Sequence, residues 1–73
     1  MPSSMLDLTR LTTRQREVYD LLAGGLTNKE IAEELRISTR TAQFHASAVL
    51  RLLGVHDRRE LLFRLLQGPA RTV

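Results

Sequence analysis

The sequence contains no cysteine and no tryptophan, and it has only three aromatic residues and two prolines in 73 positions. Without cysteine, the chain can form neither a disulfide framework nor a thiolate metal site, which suits a reducing compartment such as the cytoplasm. No apolar run exceeds three residues, whereas a membrane-spanning helix needs roughly 18. The first residues also lack the basic start and apolar core of a signal peptide. We therefore expect a small, soluble, cytoplasmic domain without a membrane partner.

Catalytic groups are equally scarce. The two histidines, His45 and His56, fall on different predicted elements, and the sequence shows neither a catalytic pair of acidic residues nor a phosphate-cradling glycine loop. Gly24-Gly25 fits the end of a helix better than a nucleotide-binding loop. The sequence therefore predicts a binding domain with no enzyme activity, no metal site and no cofactor.

Charge is distributed unevenly along the chain, although the net charge is only +3. Residues 1–35 carry four basic and six acidic side chains, whereas residues 36–73 carry seven arginines and two acidic side chains. Basic side chains neutralise phosphates and release counterions, so the second half is typical of a protein that binds nucleic acid. Arginine-rich helices that merely face solvent are the alternative interpretation.

Composition and local start signals predict an all-α fold of four helices. Capping pairs are formed by Thr12 with Gln15, Thr27 with Glu30 and Asp57 with Glu60, and Ser38 caps a further helix. Glycines at 24–25, 54 and 68 mark helix ends. The predicted helices span residues 13–23, 28–35, 39–53 and 58–67. We expect residues 1–10 to be a flexible segment, residues 11–67 to be the domain, and residues 68–73 to be a loose tail.

The second and third helices, joined by the tight turn Arg36-Ile37, have the spacing of a helix-turn-helix. One series on the third helix is expected to face the core: Ala42, His45, Ala46, Val49 and Leu53. The opposite face carries the residues expected to reach DNA: Arg40, Gln43, Phe44, Ser47 and Arg51. Phosphate contacts are expected at the starts of the two helices, from Thr27, Asn28, Lys29 and Ser38.

The fourth helix carries more apolar surface than one stripe can bury against three other helices. Its apolar residues are Leu61, Leu62, Phe63, Leu65 and Leu66. We expect a dimer interface formed by Leu61, Leu62, Leu65 and Leu66, with a wider core as the alternative. Arg58 and Arg59 open this helix, where the helix dipole disfavours a cation, so a phosphate or a carboxylate is the expected partner. Asp57 and Glu60 are the candidates within the chain.

A family resemblance rests on several short motifs within residues 11–66. The most specific is the run Gly-Leu-Thr-Asn-Lys-Glu-Ile-Ala at residues 25–32, and Leu-Thr-Thr-Arg at 11–14, Ile-Ser at 37–38, His45 and Leu-Gly-Val at 53–55 accompany it. These motifs resemble the LuxR-type (GerE/NarL-like) helix-turn-helix DNA-binding domain. The resemblance implies a bacterial transcriptional regulator, or the output domain of one such as a response regulator.

The same resemblance implies a four-helix fold whose third helix reads the major groove of double-stranded DNA. It also implies a homodimer joined through the fourth helix and bound to inverted half-sites, with RNA polymerase as a further candidate partner. The chain departs from the family pattern where DNA contact is expected. Gln43 and Leu52 replace common lysines, Ala42 and Ala46 replace valines, and Phe44 is a large aromatic. Fewer lysines predict a weaker dependence of DNA affinity on salt.

Two alternatives remain open. Region 4 of a sigma factor looks similar through its helix-turn-helix, but a fourth capped helix after Gly54 argues against it. A helix-turn-helix that binds another protein is the second alternative, and the apolar Phe44 and Leu52 together with the absent lysines support it.

Overall fold

The structure is a computed structural model that describes residues 6–67 of the chain. A short 3₁₀ helix, Leu8–Arg10, precedes four α-helices. These are α1 (Thr13–Ala23), α2 (Asn28–Leu35), α3 (Thr39–Leu53) and α4 (Arg58–Gln67). No strand occurs in the described range, so the predicted all-α fold with four helices is confirmed. None of the helices in this range has both the length and the apolar character needed to cross a membrane.

The first three helices begin at the caps that the sequence predicts. Thr12 accepts the N–H of Gln15 at 3.1 Å, and the Gln15 side chain accepts the N–H of Thr12 at 2.9 Å. Thr27 and Glu30 form the same reciprocal pair at 3.1 and 2.8 Å. The Ser38 hydroxyl accepts the backbone N–H three residues further on, at 2.9 Å. Each side chain satisfies an N–H that has no partner inside its helix.

The predicted capping box of α4 is only half formed. Asp57 accepts the N–H of Glu60 at 2.9 Å, as expected, but the Glu60 carboxylate accepts the N–H of His56 at 2.6 Å rather than that of Asp57. Its other oxygen accepts a hydrogen bond from Arg64 at 3.1 Å. The shift satisfies a donor of the loop before the helix, so Glu60 ties that loop to the first turn of α4.

The helix ends differ in the residue that reverses the chain. In the Gly24-Gly25 pair, Gly25 has the left-handed conformation, with a φ of 89°, and Gly54 ends α3 with a φ of 74°. Arg36 ends α2 with a φ of 58° and is the one non-glycine residue with a positive φ in the described range. The turn of the helix-turn-helix is therefore made by a residue that disfavours this conformation.

The core lies where α1 and α2 pack against α3, with one residue from α4. Its members are Val18, Tyr19, Leu22, Ile31, Ala32, Ala42, Ala46, Val49, Leu53, Val55 and Leu61. Three alanines on α2 and α3 supply small side chains, which permit close approach of two helices. None of the buried side chains in residues 6–67 is charged, and Tyr19 alone carries a polar group. Apolar burial thus dominates the stability of the domain.

The structure adds a feature ahead of α1 that the sequence did not predict. Leu6, Leu8 and Leu11 are half-buried and pack against the core, and Asp7 caps the 3₁₀ helix by accepting the N–H of Thr9 at 3.0 Å. Residues 6–10, which we assigned to a flexible segment, therefore contribute apolar contacts to the domain. The tail expected at residues 68–73 and the helix stop at Gly68 lie outside the described residues, as do residues 1–5.

Candidate nucleic-acid interface

The outward face of α3 presents the five residues that the sequence assigned to DNA contact. Arg40, Gln43, Phe44, Ser47 and Arg51 are all exposed. The inward series is buried at Ala42, Ala46, Val49 and Leu53. His45, predicted to lie in that series, is only half-buried, because it lies at the edge between the two faces.

The ring of Phe44 stands out on this face because 70% of its surface is exposed. The His45 ring meets it edge-on, with 5.8 Å between the ring centroids and 63° between the planes. This packing restricts the freedom of the Phe44 side chain without covering it. The exposed ring therefore offers an apolar surface beside the polar side chains of this face of α3.

The charged groups near α3 differ from those of α1 in their partners. Arginines around α1 form local ion pairs, namely Arg10 with Asp7 at 3.8 Å, Arg14 with Glu17 at 3.2 Å and Arg16 with Asp20 at 3.3 Å. Across residues 6–67, no ion pair involves Lys29, Arg36, Arg40, Arg51 or Arg59. The positive charge on α3 and at the start of α2 is therefore not paired with acidic side chains of residues 6–67, as suits a phosphate partner.

The start of α2 holds three of the predicted phosphate contacts. Thr27, the cap, and Lys29 are exposed, whereas Asn28 is half-buried. Ser38 is also exposed, and its hydroxyl is hydrogen-bonded to the Thr41 hydroxyl at 2.9 Å. The backbone N–H groups in the first turn of a helix lack partners inside the helix and can bind an anion together with Lys29.

An open cavity of about 380 Å³ lies between α3 and the loop that follows Gly54. It is lined by Ser47, Leu50, Arg51, Val55 and His56. His56 was not among the predicted site residues, because no local pattern in the sequence shows that the loop after Gly54 lies beside α3. The exposed imidazole brings a further hydrogen-bonding group to the edge of the interface.

Arg58 does not have the partner that the sequence predicted. Its guanidinium donates to the backbone carbonyl of Leu26 at 2.6 Å and to the side-chain oxygen of Asn28 at 2.9 Å. Both acceptors are neutral, so the expected carboxylate partner of Arg58, Asp57 or Glu60, is not found within residues 6–67. The prediction for Arg58 considered only the helix dipole, which is a local effect. It carries no information about acceptors that are distant in the sequence, such as the Leu26 carbonyl and the Asn28 side chain, and that the fold places next to Arg58.

The apolar residues of α4 separate into an inner and an outer group. Leu61 is completely buried in the core, so its assignment to a dimer interface is wrong. Leu65 also packs against the core, although it is only partly buried. Leu62 is half-buried, and Phe63 and Leu66 are exposed over 58% and 82% of their surfaces. The available apolar surface therefore includes Phe63, which the predicted interface omitted.

Comparisons with known proteins identify a family and several relatives of this domain. The family described as bacterial regulatory proteins, luxR family, matches residues 9–65. The chain is 46% identical over 57 residues to the spore germination protein GerE of Bacillus subtilis, covering 78% of this chain and 77% of GerE. The match to the family includes most of α4, which the sigma-factor alternative does not explain.

Other relatives are much longer than this chain. The transcriptional regulatory protein UhpA of Salmonella typhimurium is 43% identical over 58 residues, which are 80% of this chain but 30% of UhpA. The two-component response regulator PprB of Pseudomonas aeruginosa is 43% identical over 56 residues, 77% of this chain and 20% of PprB. The chain thus spans about three quarters of GerE but less than a third of UhpA and of PprB. On these matches, the chain belongs to the luxR family of bacterial regulatory proteins.

Proposed function

We propose that this domain binds double-stranded DNA in a sequence-specific manner and serves transcriptional regulation, with α3 in the major groove. The observation that carries the proposal is the outward face of α3. It combines Arg40 and Arg51, which have no acidic partner within the described residues, with the amide of Gln43 on one exposed surface. Membership of a family of bacterial regulatory proteins supports this function.

The side chains of α3 suit particular base edges. Gln43 can form two hydrogen bonds with adenine, an arginine can do the same with guanine, and Phe44 can pack against a thymine methyl group. Each well-placed bidentate pair discriminates against the wrong base by about 1–3 kcal/mol. Arg40 and Arg51 lie three turns apart on α3, so one can reach bases while the other contacts backbone phosphate.

The start of α2 would fix the position of the domain on the duplex. Lys29, the Thr27 hydroxyl and the free N–H groups of the first turn can bind one phosphate, and Ser38 can contact another from the start of α3. Such contacts orient α3 but carry no sequence information.

We further propose that two copies of the domain associate through the outer face of α4. We call Leu62, Phe63 and Leu66 the outer α4 face, since these residues recur at helical spacing and remain exposed or half-exposed. A second copy would cover this apolar surface and place two α3 helices on inverted half-sites, about 34 Å apart along the duplex. RNA polymerase remains a candidate partner of the bound dimer.

The setting of the domain follows from the lengths of its relatives. UhpA and PprB, which are named as a transcriptional regulator and a two-component response regulator, extend well beyond the matched segment. GerE is close to this chain in length. We propose that the domain acts as a transcriptional regulator or as the output domain of one, in the cytoplasm and without catalytic activity.

Selection from a randomised duplex pool tests the function directly. We expect enrichment of an inverted repeat, because two domains related by twofold symmetry read the same half-site in opposite directions. The double variant Gln43→Ala, Arg51→Ala should lose at least about tenfold in affinity for the selected site, the smallest loss expected from one bidentate pair and one phosphate contact. Both positions are exposed, so its free energy of unfolding should stay near the wild-type value.

Arg16→Ala is the matched control, because it removes the same charge from α1. It should retain site preference and lose only a small part of the affinity. Unchanged site preference in the double variant would mean that the recognition face is assigned wrongly.

A protein-binding role is the second candidate, favoured by the exposure of Phe44 and Leu52 on α3. Failure to enrich any sequence, with only weak and salt-sensitive retention of duplex, would favour this role over sequence-specific binding.

A further inference from the structure

Arg58 makes the only tertiary side-chain hydrogen bonds in residues 6–67. Its bonds to Leu26 and Asn28 span 32 and 30 positions of sequence, whereas every other side-chain hydrogen bond of the described chain joins residues at most four positions apart. The core contributes no charged group. Within residues 6–67, Arg58 thus makes the only side-chain hydrogen bonds between α4 and the segment that leads into the helix-turn-helix.

The hydrogen bond from the Arg58 guanidinium determines the orientation of the Asn28 amide. A guanidinium group donates hydrogen bonds and accepts none, so the atom of Asn28 that faces Arg58 must be the oxygen. The amide nitrogen then lies on the other side of the group with its two N–H donors. No acceptor for these donors occurs in the described part of the chain. Without Arg58, either end of the amide could face outwards.

The orientation of the Asn28 amide matters because of where Asn28 lies. Asn28 is the first residue of α2, next to the cap Thr27 and to Lys29, where a DNA phosphate is proposed to bind. A phosphate accepts hydrogen bonds and repels an outward-facing amide oxygen. The second bond of Arg58, to the Leu26 carbonyl, holds the loop that delivers Asn28 to this place.

We propose that Arg58 is a positioning residue for DNA binding, which holds the Asn28 amide so that its nitrogen donates to a backbone phosphate. This inference rests on the proposed function. Since Arg58 lies on α4, it also links the helix that carries the outer α4 face to the phosphate contact at α2. Arg58 itself touches no DNA in this arrangement.

A double-mutant cycle on duplex affinity tests the proposal. Asn28→Ala and Arg58→Met should each weaken binding to the selected site by about tenfold, the size of a lost hydrogen bond to a charged group. Methionine keeps much of the apolar stem of arginine and loses its donors. The double variant should bind no more weakly than the single ones, because both remove the same phosphate contact.

Arg59→Met is the matched control, since it removes the same charge one position along α4 from a side chain without an ion pair in the described range. Its effect on affinity should be small and should add to that of Asn28→Ala. Losses that add in the Asn28–Arg58 cycle would overturn the positioning role. If Arg58→Met does not fold, the cycle is run with Arg58→Leu, which likewise has no hydrogen-bond donor.

A measurement without DNA separates this inference from the proposed function. In the ¹H–¹⁵N spectrum of the free protein, the side-chain NH₂ signals of Asn28 should be shifted from their positions in an unfolded chain. In Arg58→Met, which has no donor at this position, they should move towards those positions while urea unfolding shows that the fold persists. Signals that do not respond would refute the contact itself. If the domain keeps this contact but binds no duplex, the proposed function is wrong, and so is the role of Arg58 in DNA binding.

Discussion

Arg36 illustrates how one residue can carry conformational strain in an otherwise regular fold. It closes α2 in the left-handed region, and the N–H of Ile37 then reaches the carbonyl of Ala32 at 3.0 Å. This bond reverses the chain between α2 and α3. Its geometry suits glycine, whereas an arginine here costs about 1–2 kcal/mol of conformational energy.

Replacing Arg36 by glycine should therefore stabilise the domain. The relief of strain exceeds the entropy that glycine adds to the unfolded chain, so we expect a gain of up to about 1 kcal/mol in the free energy of unfolding. Urea unfolding at neutral pH measures this gain. Arg36→Ala loses the same side chain but keeps a Cβ atom, so it should gain nothing. Equal stabilities of the two variants would show that the left-handed conformation is not strained.

Residue-level prediction from the sequence was right for most positions of α3, with His45 the exception, and wrong for Leu61 on α4. On α3 the small and apolar residues recur every three or four positions and form one face. The sequence therefore predicts both the buried residues and the exposed Arg40, Gln43 and Arg51 on the opposite face. On α4 apolar residues occur on most sides. Whether Leu61 or Leu66 faces the core then depends on the rotation of the helix against α1, which no local pattern encodes.

At the scale of whole helices, the sequence predicted the bounds well, because helix starts and ends are local. A hydroxyl three residues before a free N–H, or a glycine after the last turn, acts within a few residues of itself. The 3₁₀ helix before α1 was missed because three residues carry no measurable periodicity. The partner of Arg58 was missed because it lies 30 positions away in the sequence.

The half-formed cap of α4 predicts a pH dependence of stability. The hydrogen bond from the Glu60 N–H holds the pKa of Asp57 below its ordinary value of 3.8, against a smaller opposing effect of desolvation. A carboxyl with a lower pKa in the folded state binds fewer protons there than in the unfolded chain. It therefore stabilises the fold above the unfolded-state pKa, and this contribution disappears as the pH falls through the folded-state pKa.

Asp57→Asn should remove that part of the pH dependence, because asparagine still accepts the Glu60 N–H but does not titrate in this range. Urea unfolding between about pH 6 and about pH 2 should give a shallower acid-side decline for the variant than for the wild type. Asp57→Ala loses the acceptor as well and should be less stable at neutral pH. Parallel acid-side curves for wild type and Asp57→Asn would mean that the cap does not control this titration.

At the scale of the whole molecule, two features favour association. The core formed within residues 6–67 contains three alanines and no phenylalanine, so its apolar burial is limited. Meanwhile Phe63 and Leu66 remain exposed on one side of α4. Burying them against a second copy would add stability that the single domain lacks, by mass action on the folded state.

The dimer proposal predicts that stability depends on protein concentration. The melting temperature of the wild type should rise with concentration, and sedimentation should report a dimer at the upper end of the range. The double variant Phe63→Glu, Leu66→Glu places charges on the outer α4 face, so it should sediment as a monomer with a melting temperature independent of concentration. It should bind a single half-site as the wild type does but lose the extra affinity for the inverted repeat, because linked half-sites act through effective concentration.

Leu52→Glu, which changes an exposed leucine on α3, is the control for an added charge and should leave sedimentation unchanged. A wild type that stays monomeric on DNA as well as free, and binds two half-sites independently, would contradict the dimer and leave α3 as a reader of single sites.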